Sequence, residues 1–135
     1  MKIVVCDDCV EDLQYIESLL EKYKAAYSGA GFTVEKYLDA AILYDRILEG
    51  EQAEIYILDM IMAKRTGIDL GSLIRKEGRD SVIIYITSSD DYAMEAYGVH
   101  AVRYLLKPVS EESFFEAVDS ARTSVRGQRR LMFMV

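Results

Sequence analysis

The sequence predicts an α/β fold in which a single parallel sheet carries helices on both faces. Three observations support this. Five short β-rich runs alternate with amphipathic segments, the order that βα units in series produce. Three of the runs are almost continuously apolar, as strands buried on both faces are. Between the runs, apolar residues step by three and four, the spacing of one helix face.

The strands are predicted at 2–6 (KIVVC), 32–38 (FTVEKYL), 54–59 (EIYILD), 81–87 (SVIIYIT) and 102–106 (VRYLL). Leu13, Ile16, Leu20, Tyr23 and Tyr27 mark the core face of a first helix. Leu43, Ile47 and Leu48 mark a second, and Ile68, Leu73 and Ile74 a third. DYAMEAYG is a weaker helix that stops near Gly98. Ser110 suits an N-cap, with Glu111 and Glu112 in the first turn of a last helix buried through Phe114, Val118, Ala121 and Val125. Run two alternates in polarity and run five carries Arg103, so both read as edges. The strand order that follows is 2-1-3-4-5, a flavodoxin-like, doubly wound (βα)5 sandwich.

With 135 residues, 51% apolar and 29% charged, the chain suits one domain with a sizeable core. Met1-Lys2 leads into a short apolar run followed at once by acids, which is not a signal peptide. No apolar run approaches the roughly 18 residues of a membrane span. Two cysteines make no disulfide framework, so the expected compartment is the cytoplasm. A net charge of -7 argues against direct nucleic-acid binding by this segment. Residues 122–130 hold four arginines and no acid, and LMFMV follows. The reading is a domain over 1–126 and a basic, apolar tail over 127–135 that begins a linker in a longer chain. Leu131 to Val135 are expected to pack poorly on the domain.

In such a sheet, ligands and chemistry gather at the carboxyl ends of the strands. Those ends carry Asp7-Asp8, Asp59, Thr87-Ser88 and Lys107-Pro108. Oxygen-rich, mixed-charge sites of this kind suit a hard divalent cation such as Mg²⁺ together with a phosphoryl group. A carboxylate held there can act as a nucleophile and form an aspartyl phosphate. Each residue has a plainer reading when taken alone: an N-cap for the acidic pair, a solvated strand end for Asp59, a β-former for Thr87, a surface charge for Lys107. Their coincidence at four strand ends favours a site. Cys6 and Cys9 form a C-x-x-C around the acidic pair. The neighbouring carboxylates disfavour thiolates, and His100 is the one further soft candidate ligand, so neither a redox pair nor a zinc site is expected.

Over residues 2–125 this constellation resembles the receiver domain of two-component response regulators. The stretch SSDDYAMEAYGVHAVRYLLKPVS is most similar to receivers of the LytTR type, in which a DNA-binding output domain follows. The resemblance implies Asp59 as phosphoacceptor, with Mg²⁺ bound by Asp8, Asp59 and the Ile61 backbone carbonyl and by Asp7 through water. It implies Lys107 as the phosphoryl partner, Thr87 as the switch hydroxyl and Tyr104 as the aromatic that follows it. It further implies a sensor histidine kinase as partner, regulated transcription as output, and a homodimer through the face of the fourth helix, fifth strand and fifth helix.

The chain departs from the family at Ala63, where proline is usual, and at Thr66, where an acid or serine is usual. Neither position does chemistry, and both bear on the 60–67 loop. A stand-alone receiver acting by protein contacts is the nearest alternative. A phosphohydrolase needs an acid two residues after the nucleophile, where this chain has Ile61. An electron carrier needs a phosphate-cradling loop where this chain has CDDCVED. Two geometric expectations complete the reading. The Lys107–Pro108 peptide, at the only proline, should be cis to aim the ammonium at Asp59. Ile61, with Ser89 bordering the same opening, should exclude rather than orient water and make self-dephosphorylation slow.

Overall fold

The computed structural model describes the backbone of residues 1–27 and 29–134, and side chains as far as residue 127. The strands are β1 (Lys2–Cys6), β2 (Thr33–Tyr37), β3 (Ile55–Leu58), β4 (Val82–Thr87) and β5 (Arg103–Leu106). The helices are α1 (Val10–Ala26), α2 (Ala40–Leu48), α3 (Gly67–Lys76), α4 (Ala93–Gly98) and α5 (Glu111–Met134). All strand pairs are parallel, and the order is β2-β1-β3-β4-β5. Every residue of β3 and β4 is buried, whereas β2 and β5 are part exposed, matching central and edge positions.

The two-residue pleat splits the apolar runs between two cores. Ile3, Val5, Ile55, Ile57, Ile84 and Ile86 face α1 and α5, where they meet Leu20, Tyr23, Phe114 and Val118. Val4, Cys6, Tyr56, Leu58, Ile83 and Tyr85 face the opposite layer and meet Leu43, Ile47, Leu70 and Ile74. Truncating a side chain such as Ile57 to alanine costs about 2–5 kcal/mol in a core of this kind. Two residues assigned to helix faces lie outside the core. Tyr27 is the C-cap of α1 and Leu48 is the last residue of α2, and both are exposed. Periodicity gives the direction of a helix face but not where the helix stops.

Ser110 caps α5, its hydroxyl accepting from the Ser113 N–H at 3.1 Å. The helix then continues to Met134, through the stretch expected to begin a linker. The packing expected for Leu131 to Val135 lies outside the described residues. Among the described residues no helix is long and apolar enough to cross a membrane.

α3 sits unusually close to the sheet. A Cβ on Gly67 would run into the Asp59 carbonyl oxygen and lie 2.9 Å from Tyr85 Cε1, and one on Gly71 would meet the Tyr85 hydroxyl. That hydroxyl donates to the Gly67 carbonyl at 2.7 Å. Thr66 begins the helix with a capping box: its hydroxyl accepts from the Asp69 N–H, and the Asp69 carboxylate accepts from the Thr66 N–H. Threonine at 66 therefore satisfies the first turn as a serine or an acid would.

Candidate phosphoacceptor and cation site

Strand register brings the acids together. Cys6 pairs with Leu58, so the residues that follow, Asp7 and Asp59, emerge side by side. Thr87 pairs with Leu106, which sets Lys107 one step past the end of β5. Backbone bonds extend the pairing beyond the strands, from Asp59 N–H to the Cys6 carbonyl at 3.0 Å and from Lys107 N–H to the Thr87 carbonyl at 2.8 Å. The Lys107–Pro108 peptide is cis.

Lys107 Nζ lies 2.9 Å from Asp7 Oδ2, 2.8 Å from Asp12 Oδ2 and 3.4 Å from Asp59 Oδ2. Asp7 is wholly buried, Asp59 is nearly so, and Asp8 is exposed. Asp7, Asp59 and Asp8 each accept from a backbone N–H. Asp7 Oδ1 accepts from Cys9 N–H at 2.9 Å, Asp59 Oδ1 from Met60 N–H at 2.8 Å, and Asp8 Oδ2 from Ala63 N–H at 3.0 Å. The Ala63 bond uses a donor that proline lacks.

Burial raises the Asp7 carboxyl above its ordinary range, with the Lys107 and Cys9 hydrogen bonds opposing it in part. Burial also works against the Lys107 ammonium. Its hydrogen bonds to Asp12 and Asp7, with the Asp59 and Asp7 charges, more than offset that and raise it. Asp12 is held below the usual carboxylate range, chiefly by Lys107.

Thr87 is fully buried, and its hydroxyl accepts from the Ser89 N–H at 3.4 Å. Tyr104, part buried on β5, donates its hydroxyl to the Ser89 carbonyl, and its ring centroid is 6.4 Å from that of Tyr85. Ile61 exposes 53% of its surface beside the acids. His100 has a left-handed backbone (φ 56°) in the turn before β5. Cys6 is buried and its thiol is pushed up to about 12, first by burial and then by Asp7 and Asp8. Both cysteines are free. A thiol so hard to ionise is no redox nucleophile.

One carboxylate oxygen from each of Asp7, Asp8 and Asp59 lies within 4.8 Å of the other two. Three hard oxygen donors gathered so closely, with an ammonium at their edge, fit a small divalent cation that retains waters. Asp12 was not foreseen from the sequence. The available signal was an acid in the first turn after the acidic pair, one helical turn beyond Asp8.

Comparison with known proteins agrees with this fold. The family model described as the response regulator receiver domain matches residues 3–119. The transcriptional regulatory protein LytR of Staphylococcus aureus is 34% identical over 73 residues, 54% of this chain and 30% of that protein. The sensory transduction protein LytT of Bacillus cereus is 26% identical over 130 residues, 95% of this chain and 50% of that protein. The chain thus spans about half, at most, of the length of these relatives. The crystal structure of the response regulatory domain of mrkE from Klebsiella pneumoniae superposes with a TM-score of 0.82 at 20% identity, covering 94% of this chain and 99% of that one. With its acids, hydroxyl and lysine at four strand ends and the family model spanning most of its length, the chain belongs to the response regulator receiver domain family.

Proposed function

We propose that this domain is a phosphorylation-controlled switch in which Asp59 is the phosphoacceptor. The observation that carries the reading is the setting of Asp59: nearly buried, oriented by the Met60 N–H, beside two further acids and facing Lys107. Its carboxylate oxygen forms the new bond to phosphorus as the P–N bond of a kinase phosphohistidine breaks, and the electron pair leaves with the imidazole. Asp8, Asp59 and the Ile61 carbonyl would hold Mg²⁺, with Asp7 acting through water. When bound, Mg²⁺ supplies the positive charge that lets phosphoryl oxygens approach the acids. Lys107 pairs with the transferred group as a point charge. Thr87 then moves toward it, and Tyr104 turns inward. The face of α4, β5 and α5 thereby changes its affinity for a partner or a second copy, a two-state equilibrium biased by phosphate.

LytR's name places that relative in transcription. By extension, the chain acts in the cytoplasm with a sensor histidine kinase, and residues 127–135 lead toward a LytTR-type DNA-binding output. The direct test is incubation with Mg²⁺ and acetyl phosphate, followed by intact-mass measurement. One added phosphoryl group is expected in the wild type and none in Asp59→Asn. Undiminished labelling of the variant would move the phosphoacceptor elsewhere.

A further inference from the structure

Lys107 has three N–H donors, and three carboxylates occupy them. The contacts are unequal. Asp12 and Asp7 are at ordinary charge-assisted distances, 2.8 and 2.9 Å, and Asp59 is the most distant at 3.4 Å. The ammonium thus leans toward α1 and away from the group it is to serve. Asp12 stands apart from the three acids that could share a cation. It projects from the first turn of α1, and its side chain is 42% exposed, against 0% for Asp7.

When Asp59 acquires a phosphoryl group, Lys107 must exchange its long Asp59 contact for phosphoryl oxygens and shift away from α1, which loosens its contact with Asp12 or with Asp7. Asp7 is the costlier one to release, because a wholly buried carboxylate is solvated far less readily than one 42% exposed. Asp12 is the partner that water replaces more readily. On the reading that Asp59 is the phosphoacceptor, we propose that Asp12 is a positioning residue, a tether that holds Lys107 at the α1 rim in the unphosphorylated domain and penalises the phosphorylated state. Its site of action is Lys107; it touches neither the phosphoryl group nor the cation. Tyr15, one turn further along α1, donates to the Val109 carbonyl at 2.8 Å. The turn that carries Lys107 is therefore anchored to the same helix independently of Asp12, and losing the tether leaves the turn in place.

The test uses beryllium trifluoride, an acyl-phosphate mimic, at saturating Mg²⁺. Asp12→Asn should bind it about two- to fivefold more tightly than wild type, the range that one exposed ion pair commands. Asp12→Glu, which keeps the charge, should behave as wild type. The gain should shrink between about 0.01 and about 1 M salt, where the screening length falls from ~30 to ~3 Å. A metal-free urea cycle supplies a second readout: Asp12→Asn should lower stability when Lys107 is present and leave it unchanged in a Lys107→Met background. Equal affinities for wild type and Asp12→Asn, a glutamate variant that matches the asparagine one, or additive stability effects would overturn the proposal. Loss of acetyl phosphate labelling at Asp59 in the wild type would instead overturn the functional reading beneath it.

Discussion

Replacing Lys107 with methionine tests the electrostatics of the site without any cation. In the variant, Asp7 remains wholly buried with the Cys9 N–H as its remaining described donor. Removing one member of a buried ion pair costs about 3–5 kcal/mol when the survivor stays charged. Protonation limits that penalty. Each pKa unit is worth about 1.4 kcal/mol, and the Asp7 carboxyl, already raised by burial, moves further above its ordinary 3.8 once the ammonium is gone. A carboxyl raised by folding favours the folded state at low pH and penalises it as pH climbs through the shifted value. The deficit against wild type is therefore expected to be about 3 kcal/mol at pH 7 and to shrink as the pH is lowered, by less than about 1.4 kcal/mol per pH unit, as Asp7 takes up a proton more readily in the variant. The loss of the exposed Asp12 contact adds under about 1 kcal/mol. At about 3–4 °C per kcal/mol for a domain of this size, the melting temperature should drop by about 10 °C at neutral pH. Urea denaturation in EDTA between pH 7 and pH 5.5 is the assay, and Asp7→Asn in the Lys107→Met background should recover most of the loss. A deficit under about 1 kcal/mol at pH 7, or one unchanged at pH 5.5, would refute the picture of a buried carboxylate compensated by Lys107.

Three further outcomes are expected. Ile61→Asn should shorten the phosphoryl half-life of the Mg²⁺-loaded domain by about tenfold, because an amide there can orient the attacking water; equal half-lives would show that water is controlled elsewhere. Gly67→Ala should destabilise the fold by about 1–3 kcal/mol through overpacking against the Asp59 carbonyl and Tyr85. Gly98→Ala, where nothing lies within 4 Å, should be neutral or stabilising by up to about 1 kcal/mol. Similar urea midpoints for the two variants would contradict the close approach of α3.

The site was legible because its geometry depends on strand ends, and strand ends can be read. Ile55 to Leu58 and Val82 to Ile86 are unbroken apolar runs, so the residues where polarity resumes, Asp59 and Thr87, mark the edge of the sheet that carries the candidate site. Asp12 was not legible, since an acid in a first helical turn reads equally well as a complement to the helix dipole. Its contact with Lys107 spans 95 positions and exists only in three dimensions. Gly67 and Gly71 were opaque for a similar reason. A glycine inside a helix looks like a weakness in one dimension, and only the approach of Tyr85 explains it. The exposure of Leu48 was set by where α2 ends, which its periodicity did not encode.

The close seat of α3 also decides where this molecule can yield. On the side of the site bounded by α3, a capping box, two glycine contacts and the Tyr85 hydroxyl leave the helix no room to slide. On the other side, α4 is six residues long, lacks a side-chain cap and turns Met94 and Tyr97 to solvent at 82% and 80% exposure. The packing beside Asp59 is thus tight toward α3 and sparse toward α4. On the proposed reading, the fold would act as a mechanical rectifier, sending a displacement caused by phosphate toward α4 and β5, where hydrogen bonds link Thr87, Ser89 and Tyr104.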